Sequence, residues 1–260
     1  MKFITVTNQK GGVGKTAMSL HIAEYAARAR GIRTLLVDLD GQRNATFLAT
    51  GRARYEEGTV LDLWDDELPV PKPMASRLSF DVLPGNEFAA EVEKQSEEEA
   101  QKALHRLHSL DYELVVFDTP PAVGVRQVVP MQQGGLLVVP LEPEIQAIQG
   151  LAGLLQIWKD LSEKIPLDLR LVVNKRIKNS THQEAILDTL RRSPAAGPHM
   201  LQEELTARTL VPNALKDGKP VWDYDRSDPA AAMWAVVCKK LTEQVLAVDD
   251  TETQEETAHG

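Results

Sequence analysis

Phe3-Ile4-Thr5-Val6-Thr7-Asn8-Gln9-Lys10-Gly11-Gly12-Val13-Gly14-Lys15-Thr16 decides how the rest of this sequence is read. The apolar run 3–7 has the composition of a buried strand. It passes into a glycine-rich turn, and the turn into a helical pattern over 16–30 that Gly31 stops. Strand, glycine turn and helix in that order let backbone N–H groups close around phosphate oxygens. Gly11, Gly12 and Gly14 bring no Cβ to obstruct them. The start of the following helix adds a dipole that favours an anion. Lys15 is placed to reach the β- and γ-phosphates of a nucleotide, and Thr16 to offer its hydroxyl to Mg2+.

Outward from this loop, short β-rich runs alternate with longer helical patterns. Strands are expected at Thr34–Asp38, 78–83, 113–118, 135–140 and 169–174. Helices are expected at 91–110, with Ala100, Ala103, Leu104 and Leu107 at helical spacing, at 145–161, and at Thr181–Arg192, where Thr181 and Glu184 suggest a capping box. Asp228 and Pro229 suit the cap and first position of a last helix reaching about Val248. Several strands are continuous apolar runs, as in a parallel sheet buried on both faces. The fold class is therefore α/β, a doubly wound, mostly parallel sheet with helices on both faces and ligands at the C-terminal strand ends, of the P-loop NTPase type. One domain, 1–247, is expected, followed by an acidic disordered tail, 248–260, with Asp249, Asp250, Glu252, Glu255 and Glu256. The stretch 52–77, with Pro69, Pro71 and Pro73, reads as an insertion carrying one short helix near Val60–Trp64.

Two further strand ends carry chemistry. In Val37-Asp38-Leu39-Asp40, the aspartates are two apart and point the same way from a strand. A carboxylate there can hold a metal-bound water or position an attacking one, while helix capping is the plainer alternative. Val115-Val116-Phe117-Asp118-Thr119-Pro120-Pro121 is an apolar strand ending in a carboxylate, the Walker B arrangement, with Asp118 on Mg2+ through water.

The string Lys10-Gly11-Gly12-Val13-Gly14-Lys15-Thr16 resembles the deviant Walker A box of the ParA/MinD family. Asp38 to Thr46 resembles that family's D-x-D-P-Q-G-N-A-T box, with Gly41 and Arg43 in place of its proline and glycine. Asp118-Thr119-Pro120-Pro121 resembles its D-T-P-P, opening a switch segment over 120–131, and Val138-Val139-Pro140 with Gln149-Gly150-Leu151 also fits. The resemblance implies an ATPase using ATP and Mg2+, slow by itself. It implies that Lys10 reaches the phosphates of a second subunit in a nucleotide-sandwich homodimer and that Asp40 carries the hydrolytic role beside Lys15. Nucleotide-binding positions would be Lys10, Gly11, Gly12, Val13, Gly14, Lys15, Thr16 and Ala17, with Asn174 and Arg176 near the base. Metal positions would be Thr16, Asp38 and Asp118. Many relatives carry Ser or Thr where Ala17 stands, so one α-phosphate hydrogen bond is missing.

Composition narrows the partners. The 260 residues carry 43% apolar side chains, a net charge of −9 and one cysteine, Cys238. An internal disulfide and a cysteine-held cluster are excluded, which argues against an iron-protein reductase. No apolar run reaches the roughly 18 to 20 residues that cross a bilayer, and no signal-peptide pattern opens the chain. A cytoplasmic protein is expected, nucleoid-associated when ATP is bound. The acidic C-terminus lacks the basic amphipathic pattern of a membrane anchor, so a MinD-like reading ranks below a ParA-like one, and no membrane partner is expected. A ParA-like protein would bind nonspecific DNA as an ATP dimer and answer to a ParB-like partner. DNA contact would use Lys175, Arg176, Lys178, Arg191, Arg192, Arg208, Lys216 and Lys219. A carboxylate-activating metabolic enzyme of the same fold is the remaining alternative.

Overall fold

The apolar runs form β1 (Lys2–Val6), β2 (Thr34–Asp38), β3 (Met74–Ala75), β4 (Asp81–Leu83), β5 (Leu114–Asp118), β6 (Gly135–Leu141), β7 (Leu167–Arg176) and β8 (Met200–Thr206). These come from a computed structural model that describes residues 1–53, 55 and 58–257, and side chains as far as 247. The helices are α1 (Lys15–Glu24), α2 (Asn44–Thr50), α3 (Glu97–His105), α4 (Val125–Met131), α5 (Ile145–Ser162), α6 (Thr181–Arg192), α7 (Leu210–Lys216), α8 (Val221–Tyr224) and α9 (Pro229–Thr257). Among the described residues the strands make one sheet in the order β3-β4-β2-β5-β1-β6-β7-β8. Every pairing is parallel except β3 with β4.

Side-chain alternation sends each strand's apolar residues to both faces. Ile4, Leu36, Val116 and Val138 pack with α1, α2, α7, α8 and α9. On the other face Phe3, Val37, Val115 and Phe117 meet α3 and α4, and Leu137, Val139 and Leu171 meet α5 and α6. All five residues of β2 and of β5 are buried. That is why these strands read as unbroken apolar runs, and why their final carboxylates, Asp38 and Asp118, lie so deep.

Several boundaries differ from expectation. The helix expected over 91–110 is broken. A 3-10 turn, Ala89–Lys94, precedes it, and Ser96 restarts it: its hydroxyl accepts from the Glu99 N–H while the Glu99 carboxylate takes the Ser96 N–H. For α6 the cap is Ser180, accepting from the Gln183 N–H, and not Thr181. Strand β8 was not anticipated. It is an edge strand, only partly buried, and its Gln202, Glu203 and Glu204 hide it from an apolar-run reading. The short helix inside 52–77 is a 3-10 turn at Val60–Trp64. Asp228 caps α9 as expected, its Oδ1 accepting the Ala230 N–H at 2.8 Å. Helix α9 runs to Thr257, past the end expected near Val248. Of the acidic tail expected over 248–260, the side chains and residues 258–260 lie outside the described residues.

Helix α1 is tied to the α7–α8 region by His21. Its Nδ1 faces the Ala17 carbonyl at 2.7 Å, and its Nε2 accepts the Val221 N–H at 3.0 Å. Trp222 and Trp234 enclose the ring. Burial is the main cause that brings the imidazole down to about 4. The unfolded chain takes up this proton near pH 6.5, so stability is full above that and falls as pH drops toward 4, by about 3 kcal/mol for this one group. Urea unfolding of the protein and of His21→Phe should show it. The substituted protein should be less stable at neutral pH but less sensitive to acid between about pH 6.5 and 4.5. Equal sensitivity in the two would reject the assignment.

Candidate nucleotide site

The loop between β1 and α1 is braced before any ligand is considered. Asn8 donates to the Pro140 carbonyl at 2.9 Å and accepts the Lys10 N–H at 2.9 Å. From the end of β7, Asn174 Nδ2 donates to the Val13 carbonyl at 2.8 Å, and Lys175 Nζ to the Gly12 carbonyl at 2.5 Å. Gly12 and Gly14 take left-handed φ values of 77° and 99°. A Cβ on Gly14 would stand 2.3 Å from Asn174 Nδ2, so this turn requires glycine. At Gly11 and Gly12 an added Cβ would meet nothing within 4 Å, which marks the open side of the cradle. Lys15 is 7% exposed, with Nζ on the Lys10 carbonyl at 3.2 Å. Burial lowers its pKa, against the pull of Asp118 and Asp40. A desolvated ammonium inside a ring of backbone donors is suited to phosphate.

The metal pole lies beside it. Thr16 Oγ1 and Ser19 Oγ donate to the two oxygens of Asp118 at 2.8 and 3.0 Å. Asp118 pairs in register with Asp38 of β2. Burial first, and the Asp38 charge second, push the Asp118 carboxyl well above the usual carboxylate range. The Asp118 carboxylate with the Thr16 hydroxyl on it is a hard-oxygen pair that fits Mg2+, and these two residues would hold it. When bound, Mg2+ supplies neutralisation of phosphate charge. Asp38 is otherwise occupied: Oδ2 accepts the Thr46 N–H and hydroxyl at 2.9 and 2.7 Å, and Oδ1 accepts the Asp40 N–H at 3.1 Å. It fixes the start of α2 and the turn between.

Asp40 is only partly buried. Its Oδ1 accepts the Gln42 N–H at 3.0 Å and its carbonyl the Arg43 N–H at 2.9 Å. Arg43 is left-handed, with φ 57°, at the position where the family pattern has glycine. That conformation costs an arginine on the order of 1–2 kcal/mol. An ion pair with Glu87 at 3.3 Å accompanies it.

Lys10 does not enter its own phosphate cradle. Its Nζ bonds Glu144 at 2.5 Å and lies 3.6 Å from Glu142, and the Glu144 hydrogen bond chiefly raises its pKa. Glu142 also pairs with Lys175. Lys10 is 33% exposed and Glu144 46%, so their pair is worth about 0–1 kcal/mol, little enough for a phosphate to displace.

Comparison with known proteins places this geometry. The AAA_31 family of AAA domains matches residues 1–171. The chromosome-partitioning ATPase Soj of Thermus thermophilus is 36% identical over 172 residues, covering 65% of this chain and 66% of its own. This chain is a ParA/MinD-family P-loop ATPase. The sporulation initiation inhibitor protein Soj of Bacillus subtilis is 26% identical over 260 residues, 92% of this chain and 98% of its own. Among solved structures, apo McdA of Cyanothece has the same fold, with a TM-score of 0.80 at 16% identity over 93% of this chain and 99% of its own.

Within this ParA/MinD-family ATPase the structure gathers Lys10 to Thr16, Asp38, Asp40 and Asp118 at the C-terminal ends of β1, β2 and β5. Ala17 faces the core, its carbonyl engaged by His21. Asn174 reaches the loop itself. Arg176 has a different occupation from the nucleotide contact expected of it. It is 9% exposed and bonded to Gln183, Glu184 and Glu204, so it staples β7 to α6 and β8. Sequence reasoning missed Ser19, Glu142 and Glu144, named Thr46 only as the end of a family box, and read Lys175 as a DNA contact where it braces the loop. Ser19 alone had a local signal, standing four residues after Lys15 on the same helix face.

Proposed function

We propose that this chain is a ParA-like, ATP-driven dimerisation switch. ATP and Mg2+ fill the cradle, two subunits close face to face, and each Lys10 completes the other's site. The observation that carries this reading is the placement of Lys10 outside its own cradle, held by Glu144 and, at longer range, by Glu142. A lysine that served its own phosphates would lie beside Lys15. Asp40 orients the attacking water, Lys15 steadies the phosphates, and turnover is slow until a ParB-like partner stimulates it.

In the ATP state the dimer holds nonspecific DNA, associating with the nucleoid. Lys178, Arg192, Arg208, Lys216 and Lys219 are exposed. Arg176 and Arg191, by contrast, are engaged by Glu184 and Glu204 and contribute little. No helix among the described residues is long and apolar enough to cross a membrane. The test is a DNA titration with ATP, with ADP and with neither, at several salt concentrations. Binding should need ATP and weaken steeply with salt. Binding indifferent to nucleotide, or none at any salt, would reject the DNA role. Sedimentation with anionic liposomes should show no ATP-dependent recruitment.

A further inference from the structure

Arg126 is a cation inside the switch segment that the nucleotide site does not use directly. It opens α4 and is 7% exposed. Its Nε donates to Glu93 Oε1 at 2.7 Å, and the other oxygen of Glu93 accepts the Val125 N–H, also at 2.7 Å. Gly124 makes room for this approach, since a Cβ there would stand 2.0 Å from Glu93 Oε2. Arg126 Nη1 donates to the Leu39 carbonyl at 3.1 Å. That carbonyl belongs to the Leu39–Asp40 peptide, whose N–H end is held by Asp38 Oδ1 at 3.1 Å. The preceding N–H, of Leu39, donates to the Asp118 carbonyl at 2.9 Å.

One guanidinium therefore joins the loop after β2, the turn after β4 and the start of α4. With both ends of the Leu39–Asp40 peptide fixed, the Asp40 Cα is held in place, and from there its carboxylate accepts the Gln42 N–H. We propose that Arg126 is a positioning residue for ATP hydrolysis, aiming Asp40 while the Gly124–Arg126 turn is docked on Glu93. Movement of the switch segment off Glu93 slackens the Leu39 carbonyl and turns Asp40 away, which couples the segment's position to turnover. A guanidinium serves because its fork reaches carboxylate and carbonyl together in fixed geometry, which a lysine ammonium does not.

This inference rests on Asp40 being the water-positioning group, and a mutant cycle separates the two ideas. Arg126→Gln, Arg126→Lys, Asp40→Ala and the two double variants are compared by single-turnover ATP hydrolysis, fluorescent-nucleotide affinity and melting temperature. Arg126→Gln should slow hydrolysis by about 10- to 100-fold, with nucleotide affinity within about threefold, and Arg126→Lys should recover part of the loss. In the Asp40→Ala background neither Arg126 change should slow the reaction further, because what they position is already gone. A wild-type rate in Arg126→Gln, or a full multiplicative loss in the double variant, overturns the positioning role. If Arg126→Gln fails to fold, Arg126→Lys and its double variant decide by the same rule. Unchanged hydrolysis in Asp40→Ala alone would instead sink the reading of Asp40.

Discussion

Asp40→Ala is expected to bind ATP within about threefold of the native protein and to hydrolyse it on the order of 10²- to 10³-fold more slowly. The asymmetry follows from position. In the proposed site Lys15, Thr16 and the loop glycines would bind without help from Asp40, whose carboxylate holds only the local Gln42 N–H. Alanine keeps the backbone bonds of the turn, among them the Arg43 N–H to the residue 40 carbonyl, so folding should change little. The ATP-bound dimer should be long-lived in light scattering. Turnover at the native rate would show that another group orients the water.

Lys10→Ala should bind nucleotide almost normally and lose ATP-dependent dimerisation by on the order of 10²-fold or more in affinity. In the isolated chain the side chain gives up a part-exposed pair with Glu144, worth about 0–1 kcal/mol, and a longer contact of 3.6 Å with Glu142. Between subunits the same ammonium would be desolvated against phosphate, where its removal leaves an anion short of a counterion. Normal dimerisation of Lys10→Ala in light scattering would remove the cross-subunit role and leave Lys10 a rim lysine.

What could be read in advance depended on whether the determinant was local. Phe3 to Thr16 carries strand, turn and helix in consecutive residues, and Asp38 and Asp118 end runs apolar enough to declare themselves buried. Neighbouring positions there sufficed. Ser19 to Asp118 and Arg126 to Leu39 join segments far apart in sequence, and Thr46 reveals its bond to Asp38 only once α2 folds back. Glu142 and Glu144, just before α5, carry no signal of their role, because nothing in their own stretch says they face Lys10. Strand β8 was missed for a different reason: an edge strand satisfies water on one side, and its glutamates mask the period. The break before α3 turned on Ser96, whose cap outweighs the helical spacing around it.

The glutamates at the mouth of the site have one more consequence. With Lys10 folded onto Glu144 and Lys175 onto Glu142, positive and negative charges at the rim cancel. Should the phosphate of a second subunit draw Lys10 across the dimer face, as the proposed switch requires, Glu144 would keep only the more distant charge of Lys175. Dimer formation would then turn the rim of each site more acidic, a change of surface sign legible to a basic neighbour that never touches the nucleotide.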